Sequence, residues 1–263
     1  MTGTPSRRPL RARLIRTGAG ATAALTLLCV LGALVFTGVV WPNRWFVPQD
    51  SAVGVDVSAH QGRIDWDVLT RTPVQGRDDT IAFAFLKATE GSSHVDAQFA
   101  ANWAGARSQD IAVGAYHFMS FESPGETQAQ NVIDTVPAEP GTLVPTVDLE
   151  FYGDHFDDPP TAEEVHGILD PLLSRLEEHY GAPPLLYLTR EAYDLYIADL
   201  YPDHPIWFRS ITLPPRLSDG RNWTLWQYSH RDRLDGYDGR ERYIDLNVLH
   251  GGAELLAALT LGD

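Results

Sequence analysis

The sequence predicts an α/β protein, an irregular TIM-like (β/α)5β3 barrel preceded by one N-terminal transmembrane helix. Three observations carry that expectation. Strand-like and helix-like stretches alternate from Ala52 onward, one long apolar run near the start carries no charge, and several of the strand-like stretches end in acids. Alternation of this kind implies a parallel sheet with helices packed outside it, and 263 residues suffice for one such domain with an added terminal segment.

The N-terminal elements come first. Residues 1–17 read as a basic cytoplasmic tail carrying Arg7, Arg8, Arg11, Arg13 and Arg16. Residues 18–41, GAGATAALTLLCVLGALVFTGVVW, hold no charge. As a helix they would extend roughly 36 Å, against a hydrocarbon core of roughly 30 Å. Five arginines precede the run and Arg44 follows it, so the positive-inside bias keeps the N terminus cytoplasmic and sends the rest outward. Trp41 and Trp45 suit the outer interface. The expectation is a membrane signal-anchor; a cleaved signal peptide is the alternative, disfavoured because no Ala-x-Ala follows the run. Residues 42–51, PNRWFVPQDS, read as a linker, and 52–263 as the barrel.

Charge and composition narrow the function. All 35 acids lie at or after Asp50, where only 14 of the 20 Lys and Arg remain, so the outer domain carries −21. That excludes nucleic acid as a partner held by phosphate neutralisation. The single cysteine, Cys29, sits inside the apolar run, which excludes a disulfide scaffold and any two-thiolate site. The nine histidines form no His-Glu-x-x-His, and neither a Gly-x-Ser-x-Gly nor a Gly-rich phosphate loop is present. Neither a metal nor a cofactor is expected.

Within the barrel, strands are expected at Val53–Ser58, Ile81–Ala88, Ile111–Phe118, Leu143–Leu149, Leu185–Thr189, Ile206–Arg209, Leu225–Tyr228 and Tyr243–Val248. Helices are expected near Ile64–Arg71, Asp96–Ser108, Gly125–Ile133, Thr161–His179 and Arg190–Leu200. Thr161 with Glu164 forms a capping box after two prolines, and Gly181 supplies the stop. Five strand-then-helix units followed by three strands describe a barrel that degenerates at its carboxyl end.

Reacting groups in such a barrel belong at the carboxyl ends of strands. Asp56, Glu90, the pair Asp148 and Glu150, and Asp245 all sit there, embedded in apolar residues where an unpaired carboxylate is expensive. Asp148 and Glu150, two apart, share one strand face with Cα atoms roughly 6.6 Å apart. Crowded carboxylates resist joint ionisation, so one pKa should rise while its neighbour stays charged. Glycoside cleavage needs that combination: a carboxyl to protonate the leaving oxygen and an anion to steady the sugar cation. The spacing leaves the stereochemical course open. Tyr116, Tyr187, Trp207, Trp226 and Tyr228 fall in strands and offer ring faces for pyranoses.

Taken together, the motifs from about Ala52 to Gly251 resemble family 25 glycoside hydrolases, the Chalaropsis-type lysozymes. The resemblance rests on Gly54-Val55-Asp56-Val57-Ser58, Gln61-Gly62, Ile64-Asp65-Trp66, Leu86-Lys87-Ala88-Thr89-Glu90-Gly91, Gly114-Ala115-Tyr116-His117-Phe118, Val147-Asp148-Leu149-Glu150, Leu186-Tyr187, Trp226-Gln227-Tyr228 and Ile244-Asp245-Leu246-Asn247. It implies a muramidase that cleaves the β-1,4 bond between N-acetylmuramic acid and N-acetylglucosamine in peptidoglycan. Glu150 then matches the general acid and Asp148 the residue that steadies the N-acetyl group or the cationic intermediate. Asp56 and Asp245 match the remaining cleft carboxylates, and Tyr116, Tyr187 and Gln227 match residues near the substrate. Trp207 and Glu90 are further substrate-binding candidates. One departure stands out: where the family usually has a small residue, Trp207-Phe208 is followed by Arg209, which could narrow the cleft or pair with an acid. The alternatives are a catalytically weak wall-binding module and a hydrolase of another N-acetylated polysaccharide.

Overall fold

The computed structural model describes residues 8–36 and 41–262. The chain divides into two compact units, the second running from Asn43 to the C terminus.

In the first unit, α1 spans Arg8–Phe36. The expected transmembrane helix over 18–41 is corrected in extent: α1 begins ten residues earlier, in a stretch carrying four arginines, and stops at Phe36. Among the described residues no helix is long and apolar enough to cross a membrane. Residues 1–7 of the expected tail and 37–40 of the expected span lie outside the described residues.

The second unit is built on nine strands among the described residues: β1 (Val53–Val57), β2 (Phe83–Glu90), β3 (His94–Val95), β4 (Ala112–Phe118), β5 (Thr146–Leu149), β6 (Leu185–Leu188), β7 (Ile206–Arg209), β8 (Leu225–Asp232) and β9 (Ile244–Leu249). Eight of them pair in the cycle β1-β9-β8-β7-β6-β5-β4-β2 and back to β1, closing a barrel; β3 hairpins onto β2. The helices between them are α2 (Trp66–Leu69), α3 (Phe99–Arg107), α4 (Gly125–Thr135), α5 (Ala162–Tyr180) and α6 (Arg190–Ala192), with α7 (Ala253–Ala258) near the end of the chain. The (β/α)5β3 order follows directly. α5 starts on the Thr161/Glu164 capping box and stops at Gly181, whose φ of 72° is left-handed.

The wholly parallel sheet expected from the alternation is corrected at its last strand. β9 runs antiparallel to both β8 and β1. The link from β8 to β9 covers only residues 233–243 and holds no helix, too little chain for the crossover that a parallel return requires.

Two further corrections concern chain outside the strands. The helix expected over Arg190–Leu200 breaks after α6 into a π-turn, Tyr193–Ile197, followed by positive φ at Asp199 (62°) and Tyr201 (51°). Arg221 holds this conformation by donating to Tyr193 Oη, Ile197 O and Tyr201 O while pairing with Asp219 at 3.0 Å. The linker expected over 42–51 is largely built into the barrel unit. Asn43 is fully buried and donates to the carbonyls of Ser210 and Tyr228, and Arg44 pairs at 2.5 Å with the buried Asp232.

Inside the barrel, Phe85 packs on Trp207 with ring centroids 4.8 Å apart, and Trp207 on Tyr187 at 4.9 Å. Gly114 makes room for this packing, since a Cβ there would lie 2.6 Å from the Phe85 ring. These rings form the floor on which the polar site stands.

Candidate active site

A cleft of about 780 Å³ opens at the end of the barrel where the parallel strands finish. Alternation along each strand decides what enters it. On β4, Tyr116 lines the cleft while His117 is buried between Thr89 and Gln128, and burial holds its imidazole neutral with a pKa lowered to about 4. On β5, Asp148 is the third residue, opposite Tyr187 of β6 and Phe118 of β4, and Glu150 follows just past the strand end. Gln227 of β8 faces Arg209 of β7 in register, and also Asn247 of β9. The cleft therefore unites Asp56, Tyr116, Asp148, Glu150, Tyr187, Trp207, Gln227 and Asp245.

Asp245 reaches the mouth because β9 is reversed. Its second residue lies where the parallel strands end, directly opposite Asp56 of β1. The sequence argument placed Asp245 at a strand's carboxyl end; the structure delivers it from the amino end.

Asp56 is the hub of the polar network. Its Oδ2 accepts from Asn247 Nδ2 at 2.7 Å and from Gln227 Nε2 at 3.0 Å, and Asp245 shares a further hydrogen bond with it. Each amide is itself oriented by a partner: Trp207 Nε1, which can only donate, donates to Asn247 Oδ1 at 2.8 Å, and Tyr187 Oη donates to Gln227 Oε1 at 3.1 Å. Both tyrosines in the cleft stay protonated, because burial and the surrounding carboxylates push Tyr116 and Tyr187 well above their ordinary values.

Burial raises all four cleft acids, so the expected contrast of one raised and one charged neighbour appears as a gradient instead. Asp148 is pushed well up by burial and then by the Glu150 charge. Asp245 is pushed well up by burial and then by Asp56. Glu150 rises through burial, opposed chiefly by the Arg209 charge. Asp56 also rises through burial, but the Asn247 and Gln227 donors pull it back. Asp148 Oδ1 is buried with no hydrogen-bond partner among the described residues, and Asp148 lines the cleft. The arrangement offers carboxyls whose protons burial holds more tightly than usual beside one carboxylate braced by amides, which is the equipment of acid catalysis.

Glu90 is not brought to the cleft. It pairs with Lys87 at 2.6 Å at the end of β2, where it meets the β3 hairpin, and this partner holds its pKa below the ordinary value. Conversely, the cleft contains residues the sequence reading did not assign. Behind that lining, the fully buried Asn247 was not assigned either, although it stands two positions from Asp245 on the same strand face. Glu191 and Leu195 come from the α6 segment, whose π-turn had no sequence signature, and Phe151, Phe156 and Pro159 come from the loop after β5. His230, two residues beyond Tyr228 on β8, also lines the cleft, with its pKa lowered by burial to about 4.

The comparisons with known proteins bear on the family and the fold. Residues 55–237 match the family described as Glycosyl hydrolases family 25. The uncharacterized protein YegX of Escherichia coli K12 is 32% identical over 211 residues, covering 80% of this chain and 73% of YegX. Lysozyme M1 of Streptomyces globisporus is 26% identical over 239 residues, covering 82% and 74% of the two chains. Among solved structures, a family 25 glycosyl hydrolase from Bacillus anthracis shares 48% identity with a TM-score of 0.73, covering 80% of this chain and 93% of that one. The bacterial lysozyme from Streptomyces coelicolor shares 26% identity with a TM-score of 0.68, covering 81% and 98%. By barrel, cleft and sequence, this chain belongs to glycosyl hydrolases family 25.

Proposed function

We propose that the protein is a muramidase that hydrolyses the β-1,4 bond between N-acetylmuramic acid and N-acetylglucosamine in peptidoglycan, with Glu150 as general acid. The observation that carries this reading is the placement of Asp148 and Glu150 at one barrel mouth, both with raised pKa values, beside an Asp56 braced by Asn247 and Gln227. Glu150 stands at the strand end, half-exposed, where it meets the leaving oxygen; Asp148 lies one layer deeper. The two titrate as a pair. As Glu150 gives up its proton its new charge opposes the ionisation of Asp148, and the positive charge developing at the anomeric carbon is what favours the anionic form of Asp148 in the transition state. Tyr116 and Tyr187 supply neutral hydroxyls, and Phe151, Phe156 and Leu195 give the cleft wall apolar faces for the sugar rings. Peptidoglycan as the substrate is supported by the lysozymes among the relatives.

The reading places the barrel outside the cytoplasmic membrane, on the strength of the basic-then-apolar start of the sequence. Fractionation tests this: the protein in the salt-washed membrane pellet indicates an anchor, a shortened soluble form indicates cleavage, and intact cytosolic protein refutes export.

The function is tested by incubating the full chain and its Glu150→Gln variant with purified peptidoglycan and reading the reduced products by mass spectrometry. Fragments ending in reduced N-acetylmuramic acid, released by the parent alone, are expected. Fragments ending in reduced N-acetylglucosamine, or no release, refute the assigned bond.

A further inference from the structure

Arg209 is the one Lys or Arg among the described residues that line the cleft. Its guanidinium has no hydrogen bond or ion pair with any described residue, although five carboxyl groups line the cleft with it. Elsewhere in the second unit, Arg44 pairs with Asp232 and Lys87 with Glu90. Position 209 closes β7, in register with Gln227, so the side chain is carried by the barrel wall rather than by a loop. A planar fork of five donors on a rigid strand end, facing a cleft and unused by the protein, matches a carboxylate.

The cleft's own charge permits an anionic guest. Burial raises Asp148, Glu150 and Asp245 toward their neutral forms and Asp56 is wrapped by its amide donors, so the half-buried Arg209 faces the deep cleft as its cation while the exposed Glu191 carries an acid on the α6 segment. Resting on the muramidase reading, we propose that Arg209 binds a carboxylate borne by the lactyl substituent of a muramyl residue, and so determines which glycan strands the cleft accepts. That carboxylate has two sources of one chemistry. On peptide-free strands it is the lactyl group's own; on peptide-bearing strands the lactyl group is amidated and the nearest carboxylates belong to the stem peptide.

The experiment measures binding rather than turnover, using the full chain carrying Glu150→Gln. Three ligands are compared: peptide-free glycan strands, the same strands with their carboxylates converted to methylamides, and peptide-bearing strands. Adding Arg209→Met should weaken peptide-free strands about tenfold, the size of one lost charge-assisted pair, and shift the methylamide strands less than twofold. Arg209→Lys should recover most of the loss. A loss confined to peptide-bearing strands assigns the carboxylate to the stem peptide and overturns the lactyl assignment. Equal loss on charged and methylamide strands, or no loss on any, overturns carboxylate recognition by Arg209. Retained binding of methylamide strands shows that the variant is folded. Should the Glu150→Gln parent bind none of the three while the wild type releases no fragments, the muramidase reading itself falls, an outcome distinct from the others.

Discussion

The indole of Trp207 donates to Asn247 Oδ1 at 2.8 Å and thereby dictates that the Asn247 amide turns its Nδ2 toward Asp56. An indole N–H can only donate, so the alternative amide orientation would oppose two donors across a buried contact. Trp207→Phe keeps most of the volume and removes that donor. The variant should lose about 1–3 kcal/mol of stability, the cost of an unsatisfied buried acceptor. A carboxylate deprived of a well-aimed donor ionises less readily, so the acid limb of the kcat/KM pH profile should move to higher pH. Thermal unfolding together with that profile checks both; an unmoved acid limb would detach Asp56 from the network.

Glu150→Gln should reduce kcat by about 100-fold or more, because the amide keeps the shape but delivers no proton. In the parent, burial keeps Glu150 protonated above the ordinary carboxylate range. Activity should therefore persist as pH climbs past about 4.3 and decline only as Glu150 ionises. A rate that peaks below that range would contradict Glu150 as the acid.

For Asp148→Asn the expected signature is a split, with kcat falling and KM nearly unchanged, since the cation it meets exists chiefly in the transition state. Steady-state kinetics on a soluble glycan oligomer separates the two. Parallel loss in both would assign Asp148 to ground-state binding.

Asp245→Asn tests a cost to the fold. Burial and the Asp56 charge raise the Asp245 pKa, so between its unfolded and folded values the native state holds a proton that the unfolded chain releases. Stability is therefore lost as pH rises from about 4 through the folded value. Asparagine cannot ionise and still donates to Asp56. The variant should gain about 1 kcal/mol at pH 7, a Tm rise of about 2–4 °C, and nothing at pH 3.5. A gain of equal size at both pH values would exclude ionisation as its cause.

Arg44→Met leaves the buried Asp232 without its partner, and should cost about 3 kcal/mol by thermal unfolding. A change within experimental error would return residues 43–51 to the status of a simple tether.

Much of this architecture was legible in the residues. All eight barrel strands fall where apolar runs predicted them, because a strand buried on both faces must be written in Val, Ile, Leu and aromatic residues. The capping box of α5 was equally plain. The reversal of β9 was not, since strand direction depends on the length of the connection and not on the strand's composition. The site was legible where acids interrupt apolar strands, as at Asp56, Asp148 and Asp245. It was illegible where a loop or a π-turn supplies the wall, as at Phe156 and Leu195, and at Glu90, whose fate depended on the nearness of Lys87.

Asp56 stands on the first barrel strand and Asp245 on the last, 189 positions apart in a chain of 263 residues. Their juxtaposition exists only after β9 slots between β1 and β8, the step that closes the cylinder. A chain emerging N terminus first thus carries Glu150 and Asp148 long before it can complete the network around Asp56. Hydrolytic competence arrives with the final strand, and a polypeptide cut short before Ile244 is disarmed by its topology alone.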